Sequence, residues 1–192
     1  MKAHYFQVMC ILLLMASSIT MWAQSKPTKL YLGKGPEVPL KTNAILRYSN
    51  IEVELKSLHR MEVTYEYVIT ILDNEGVKHG QVVWYYDDFT KITEGNLWVY
   101  DPLGNILDRV KINQMTDMSY TGSNFYDDQR VKYYTVLQKK APYTVHYKYK
   151  KVISETYSLP TWYPQEAEDI YVQEANYKLI NSSKLNYRTY IH

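Results

Sequence analysis

Cysteine is almost missing from this sequence, which holds one, Cys10, among 192 residues. Cys10 lies in an N-terminal segment that we expect to be cleaved off, so the mature chain would carry no thiol. This excludes a disulfide framework, a cysteine metal site and a cysteine nucleophile. A domain without such links is held by its hydrophobic core, and the roughly 165 remaining residues are enough to form one.

A strong net charge is also missing, because 22 Lys and Arg residues are offset by 20 Asp and Glu residues. The resulting formal charge of +2 gives no field that would steer the chain to nucleic acid or to an acidic membrane. The densest basic cluster alternates with tyrosines and consists of Lys139, Lys140, Lys148, Lys150 and Lys151. Such a cluster can bind single strands, but with acids nearly as numerous we expect no nucleic-acid partner.

Long apolar runs are missing as well. The one candidate, Val8–Ala16, is too short and too interrupted for a comfortable membrane span. Lys2 precedes it and small residues follow it, which is the layout of a secretory signal peptide. We therefore predict a signal peptide over residues 1–24, cleaved after Ala23 or Gln24, and an exported protein of the periplasm or the cell exterior. A retained N-terminal anchor is the alternative.

Tyrosine, in contrast, is abundant, with 21 residues against 3 Phe and 4 Trp. Tyrosine favours half-buried pleated surfaces. Apolar residues alternate with polar ones over 51–56 and again over 61–71, which predicts an antiparallel hairpin. No long amphipathic helix is evident. After a Pro- and Gly-containing linker at 25–43, we predict that residues 44–192 form an all-β domain, an antiparallel β-sandwich of roughly nine strands.

The stretch around residues 143–150 shows how this alternation assigns side chains to faces. One set is aromatic or apolar and is expected inside: Tyr143, Val145, Tyr147 and Tyr149. The other set is polar and is expected at the surface: Thr144, His146, Lys148 and Lys150. The tyrosines and the lysines therefore separate, which weakens the case for a mixed basic and aromatic surface.

Residues that could perform catalysis do not form a recognisable pattern. The acid pairs Asp87–Asp88 and Asp127–Asp128 are adjacent on extended chain, so their carboxylates point apart, and we expect them to cap turns. The histidines, His59 and His79 among them, lack metal-site spacing and are expected at the surface. No Gly-x-Ser-x-Gly elbow is present. We therefore predict no catalytic constellation, no metal site and no cofactor in this chain.

Two places are candidates for binding. In "LPTWYPQE" the aromatic side chains of Trp162 and Tyr163 stand between two prolines, which reduces the entropy lost on ordering them. This loop is either a platform for a ligand such as a sugar ring or a lid on the core. Arg130, with Asp128 nearby, is the second candidate. Arg130 is alternatively a structural partner of an aspartate, because arginine suits fixed bidentate pairs.

Six segments read together resemble a known family: "ITILDNEG", "VVWYYDDFTKI", "LWVYDPLGNIL", "YDDQRVKYY", "PYTVHYKYK" and "LPTWYPQE". They resemble the β-rich domain of unknown function, DUF3857, that precedes a transglutaminase-like domain in exported proteins of Bacteroidota. The positions that match the family pattern are Asp128, Arg130, Lys132, Pro142–Tyr149 and Trp162–Gln165. The resemblance extends over roughly residues 44–192.

The resemblance implies that catalysis belongs to a cysteine–histidine–aspartate domain downstream, and no residue of that triad can be carried over to this chain. Because the sequence stops within an apparent strand, we expect a chain truncated before that domain. The expected function is a non-catalytic module that positions or binds protein or other cell-envelope material. A carbohydrate-binding module is the alternative, and an enzyme with residues drawn from distant segments is a third.

Overall fold

The computed structural model describes residues 38–120, 128–136 and 140–186. The predicted signal peptide, residues 1–24, lies outside these described residues, as does most of the predicted linker. Among the described residues, no helix has the length and apolar content needed to span a bilayer.

The described chain forms ten strands and two short 3₁₀ helices. The strands are β1 (Ala44–Ser57), β2 (Arg60–Ile71), β3 (Val82–Tyr86), β4 (Thr90–Tyr100), β5 (Ile106–Lys111), β6 (Thr116–Ser119), β7 (Arg130–Tyr134), β8 (Tyr143–Ile153), β9 (Ile170–Val172) and β10 (Ala175–Ile180). The 3₁₀ helices are Glu75–Gly80 and Ile112–Gln114.

The strands form two sheets that pack face to face. The large sheet has the order β10-β1-β2-β8-β4-β5, with β9 also paired to β1, and the small sheet has the order β3-β7-β6. The predicted all-β class is confirmed, and so is the hairpin of β1 with β2. A turn joins β4 to β5, and in it Asp101 Oδ1 accepts hydrogen bonds from the backbone N–H groups of Leu103 and Asn105, both at 2.8 Å.

One feature of the large sheet differs from the prediction of antiparallel pairing: β9 and β10 run parallel to β1. The reason is the path of the chain. β8 and β1 are both antiparallel to β2, so they point the same way. The segment 154–169 crosses over the sheet and returns the chain to its starting end, so β9 enters beside β1 in the same direction.

The two sheets meet where Trp84 of β3 lies flat on the large sheet. Its ring stacks on that of Tyr149 with 4.6 Å between the centroids and 17° between the planes, and the side chain is fully buried. On the neighbouring strand β4, a Cβ atom at Gly95 would lie 2.3 Å from Cζ3 of this indole. Gly95 therefore provides the space that lets the small sheet approach so closely.

The first prediction concerns this contact. We expect Gly95→Ala to lower the free energy of unfolding by about 2 kcal/mol, because the added methyl group overpacks the indole. In a Trp84→Phe background the clashing atoms are gone, so the same change should be neutral or slightly stabilising, since alanine loses less entropy than glycine. Urea unfolding of the four proteins in this double-mutant cycle measures the coupling. An equal effect of Gly95→Ala in both backgrounds would contradict the proposed contact.

Part of the opposite face of the large sheet is polar but buried. Arg47 Nε donates to Thr70 Oγ1 at 3.1 Å, and the hydroxyls of Thr70 and Thr144 are 2.9 Å apart. His146 was predicted at the surface, and this prediction was wrong, because only 8% of the residue is exposed. Its ring stacks on Trp98, its cross-strand neighbour on β4, at 5.0 Å, and its Nε2 lies 3.0 Å from Oε1 of Glu66.

The second prediction follows from Glu66. Hydrogen bonds from His146 first and from Lys148 next outweigh burial and lower the pKa of Glu66 to about 2. The stabilisation from the carboxylate is therefore complete above pH 4.5 and is lost as the pH falls toward 2. Glu66→Gln should lower stability at pH 7 by about 1 kcal/mol and flatten the decline of Tm across this range. Parallel Tm-against-pH curves for the variant and the wild type would contradict this assignment.

Candidate ligand-binding cleft

The small sheet covers only part of the large one, and a cleft of about 370 Å³ lies beside it. Side chains of β1, β2 and β8 form the floor of this cleft. One wall is β3, one of the two edge strands of the small sheet, and the other is formed by β9 and the crossover segment 154–169. Five tyrosines line the cleft: Tyr67, Tyr85, Tyr147, Tyr149 and Tyr163.

The floor tyrosines present neutral rings. Tyr67 and Tyr147 are stacked with centroids 5.1 Å apart. Burial first, and the nearby charge of Glu166 second, raise the pKa of Tyr67 to about 12. Burial raises the pKa of Tyr147 and of Tyr149 well above the ordinary value. The phenols therefore stay protonated in ordinary buffers and offer ring faces and neutral hydroxyls to a ligand rather than phenolate bases.

Glu166 supplies the charge of the cleft. It is an exposed residue of the segment 154–169, and its charge contributes to raising the pKa of each floor tyrosine. No lysine, arginine or histidine is among the residues that line the cleft. Within the described part of the chain, no salt bridge joins Glu166 to a cation. The described cleft therefore combines aromatic rings with one uncompensated carboxylate.

Asp169 fixes the segment that carries Tyr163 and Glu166. Its Oδ2 accepts from Nζ of Lys78 at 2.8 Å and lies 3.0 Å from Nε2 of His79. These hydrogen bonds hold the pKa of Asp169 far below its usual range. The segment is thereby tied to the 3₁₀ helix Glu75–Gly80. His79, predicted at the surface, is instead part-buried by this contact.

The cleft brings together only one of the residues that the sequence singled out for binding. Tyr163 lines it and is 69% exposed. Trp162 points elsewhere, because its ring lies 5.8 Å from that of Tyr177 on β10, and it remains 39% exposed. Trp162 is thus at the edge of the large sheet, against β10.

Arg130 and Asp128 do not form a pair. Arg130 instead donates from Nη2 to Oδ1 of Asp117 on β6 at 2.9 Å and from Nε to the hydroxyl of Tyr86 at 2.8 Å. Lys132 donates to the other carboxylate oxygen of Asp117 at 2.5 Å. Although burial raises the pKa of Asp117, hydrogen bonds from Lys132, Tyr86 and Arg130 lower it to about 2. Asp128 is exposed just before β7.

The next residues are the acid pairs that were considered for catalysis. Asp87 Oδ1 accepts from the backbone N–H groups of Phe89 and Thr90 at 2.8 and 2.6 Å, so it caps a turn as predicted. Asp127 lies outside the described residues. Within 38–120, 128–136 and 140–186, no three His, Cys, Asp or Glu side chains are grouped so that they could hold a metal ion.

Sequence reasoning missed most of the cleft. Tyr67, Tyr147 and Tyr149 were assigned to the core by alternation, and Tyr85 and Glu166 were not singled out. The excess of tyrosine over phenylalanine was the available signal, because a half-open apolar surface needs rings with a polar end.

The third prediction separates the two aspartates near Arg130. Asp117→Asn should lower the free energy of unfolding by about 2 kcal/mol, because it weakens the charge-assisted and phenolic hydrogen bonds from three side chains, Arg130, Lys132 and Tyr86. Asp128→Asn, the matched control, should change it by less than about 0.5 kcal/mol, as is usual for an exposed residue. Urea unfolding at pH 7 measures both. A larger loss for Asp128→Asn would contradict this arrangement.

Comparisons with known proteins agree with this architecture. The family described as "Domain of Unknown Function with solved-structure structure (DUF3857)" matches residues 58–192. Among solved structures, the chain is similar to the crystal structure of a "putative protease" from Parabacteroides distasonis ATCC 8503, with a TM-score of 0.50 and 14% identity. That match covers 60% of this chain and 24% of the other, so this chain spans about a quarter of that protein. No curated protein matches the sequence. The chain belongs to the DUF3857 family.

Proposed function

We propose that this chain is a non-catalytic, exported binding module that holds an extended segment of a cell-envelope protein in the tyrosine-lined cleft. By the family resemblance, it would position that segment for a transglutaminase-like domain downstream. The observation that supports the proposal best is the position of β3, whose open edge forms one wall of the cleft.

The edge of β3 can pair with an incoming strand. Within the described residues, Val82–Tyr86 pairs with β7 on one side and with no strand on the other. An edge strand presents unpaired N–H and C=O groups, and extended peptides bind many proteins by adding a strand to such an edge. Val83 and Tyr85, which line the cleft, are 39% and 45% exposed, so this edge is accessible.

The cleft beside this edge suits the side chains of an added strand. Alternate residues of a strand point to opposite faces, so every second side chain of the peptide would point to the floor. The floor offers the rings of Tyr67, Tyr147 and Tyr149. The cleft volume of about 370 Å³ lies in the range of small ligand sites. Backbone pairing would give affinity, and the tyrosine floor would give selectivity.

A carbohydrate ligand is the second candidate. Trp162 and Tyr163 are adjacent, both partly exposed, and stand between Pro160 and Pro164. Such rings can stack on the apolar face of a sugar. The two rings point in different directions, because Trp162 packs against Tyr177 while Tyr163 lines the cleft. They therefore do not form one platform for a sugar, which favours a peptide as the ligand.

The fourth prediction tests strand addition without altering the protein. A capped pentapeptide of alternating threonine and valine with a central lysine should bind and shift the backbone amide resonances of Val82–Tyr86. The same peptide N-methylated at alternate residues should bind at least about tenfold more weakly, because it loses donors to the β3 edge. NMR titration of the exported chain measures both effects.

The outcome also separates the two candidate ligands. Equal binding of the methylated and unmethylated peptides, or shifts confined to Trp162 and Tyr163, would overturn strand addition. Quenching of tryptophan fluorescence by a soluble glycan, abolished by Trp162→Ala, would favour the carbohydrate function. The mature Trp162→Ala variant keeps Trp84 and Trp98, which pack on Tyr149 and His146, so their fluorescence reports whether the variant is folded.

A further inference from the structure

We infer that the cleft selects a lysine side chain in the extended segment that it binds, with the Glu166 carboxylate and the tyrosine rings as its receptor. This inference rests on the proposed function, because it names the side chain that strand addition at β3 would place over the floor of the cleft.

The charge of the cleft is the first argument. Glu166 is the one charged side chain among the residues that line it. Its influence on the pKa of Tyr67, Tyr147 and Tyr149 shows that its field reaches the floor of the cleft. No cation of the described chain pairs with it. An ammonium group in the cleft would compensate this charge, whereas a carboxylate would be repelled.

The aromatic floor is the second argument. The face of a tyrosine ring carries negative electrostatic potential and attracts an ammonium group within about 6 Å of its centroid. The same row of tyrosines already accommodates one lysine of the chain: Lys151 Nζ lies 5.8 Å from the centroid of Tyr65 and 5.9 Å from that of Tyr149. Tyr149 also lines the cleft.

The form of a lysine side chain is the third argument. Its four-carbon stem can lie along apolar surface while its ammonium group reaches a polar partner. The cleft offers both kinds of surface, because apolar side chains such as Ile69 and Val172 line it together with Glu166. A lysine from a strand paired to β3 would therefore place its stem on the rings and its charge toward Glu166.

The fifth prediction compares two capped pentapeptides that differ only at the central residue, lysine or its uncharged analogue norleucine. The wild-type chain should bind the lysine peptide about tenfold more tightly at low salt, and this preference should shrink as salt is added. In Glu166→Gln the preference should fall to about twofold or less. Glu168→Gln is the matched control, because Glu168 is an exposed residue of the same segment and does not line the cleft.

Each result bears on a different statement. Equal binding of both peptides to the wild-type chain would overturn the selection of lysine and leave strand addition intact. A preference for lysine that Glu166→Gln leaves unchanged would overturn the role of Glu166. Failure of both peptides to bind a chain that is folded by circular dichroism would overturn the proposed function itself. Loss of the preference in Glu166→Gln alone would support the inference.

Discussion

The contact of Trp84 with the large sheet is the constraint on which the rest of the structure depends. The indole lies on Tyr149 and occupies the space that Gly95 leaves open, so the small sheet can sit only where this ring fits. With β3 fixed there, its free edge lies over the tyrosine face of the large sheet rather than beyond it. The cleft is a direct consequence, because three strands cannot cover the face of a sheet that is six strands wide.

The second wall of the cleft depends on the crossover from β8 to β9. Residues 154–169 traverse the sheet without a regular element, and the contacts of Asp169 with Lys78 and His79 fix the end of this segment. This anchoring places Tyr163 and Glu166 opposite β3. The candidate site is thus assembled from parts of the chain that are far apart in sequence, which is usual for a binding site on a rigid scaffold.

The cleft presents neutral phenol rings and one carboxylate to a ligand. Burial keeps the three floor tyrosines, Tyr67, Tyr147 and Tyr149, protonated, and Glu166 is the one carboxylate among the lining residues. The clusters of polar and charged side chains around Asp117 and Glu66 join neighbouring strands and stabilise the fold. Asp117 joins β6 to β7 through Arg130 and Lys132, and Glu66 joins β2 to β8 through His146 and Lys148. What remains for a ligand is an open strand edge, a floor of rings and a single negative charge.

The sequence by itself determined the all-β class, the first hairpin, the alternation of faces along β8 and the turn at Asp87. These follow from alternation and turn chemistry, which act between near neighbours: β1 and β2 form the expected hairpin, and Asp87 caps the expected turn. Only the tertiary structure decided what covers each face. His146 lies on the polar face of β8 as predicted but is buried because Trp98 of β4 stands opposite. Arg130 pairs with Asp117 rather than Asp128 because β6 is the neighbour of β7. The cleft, and the parallel entry of β9 and β10, arise from long-range pairing and sheet packing, which leave no periodic signal in the residues that take part.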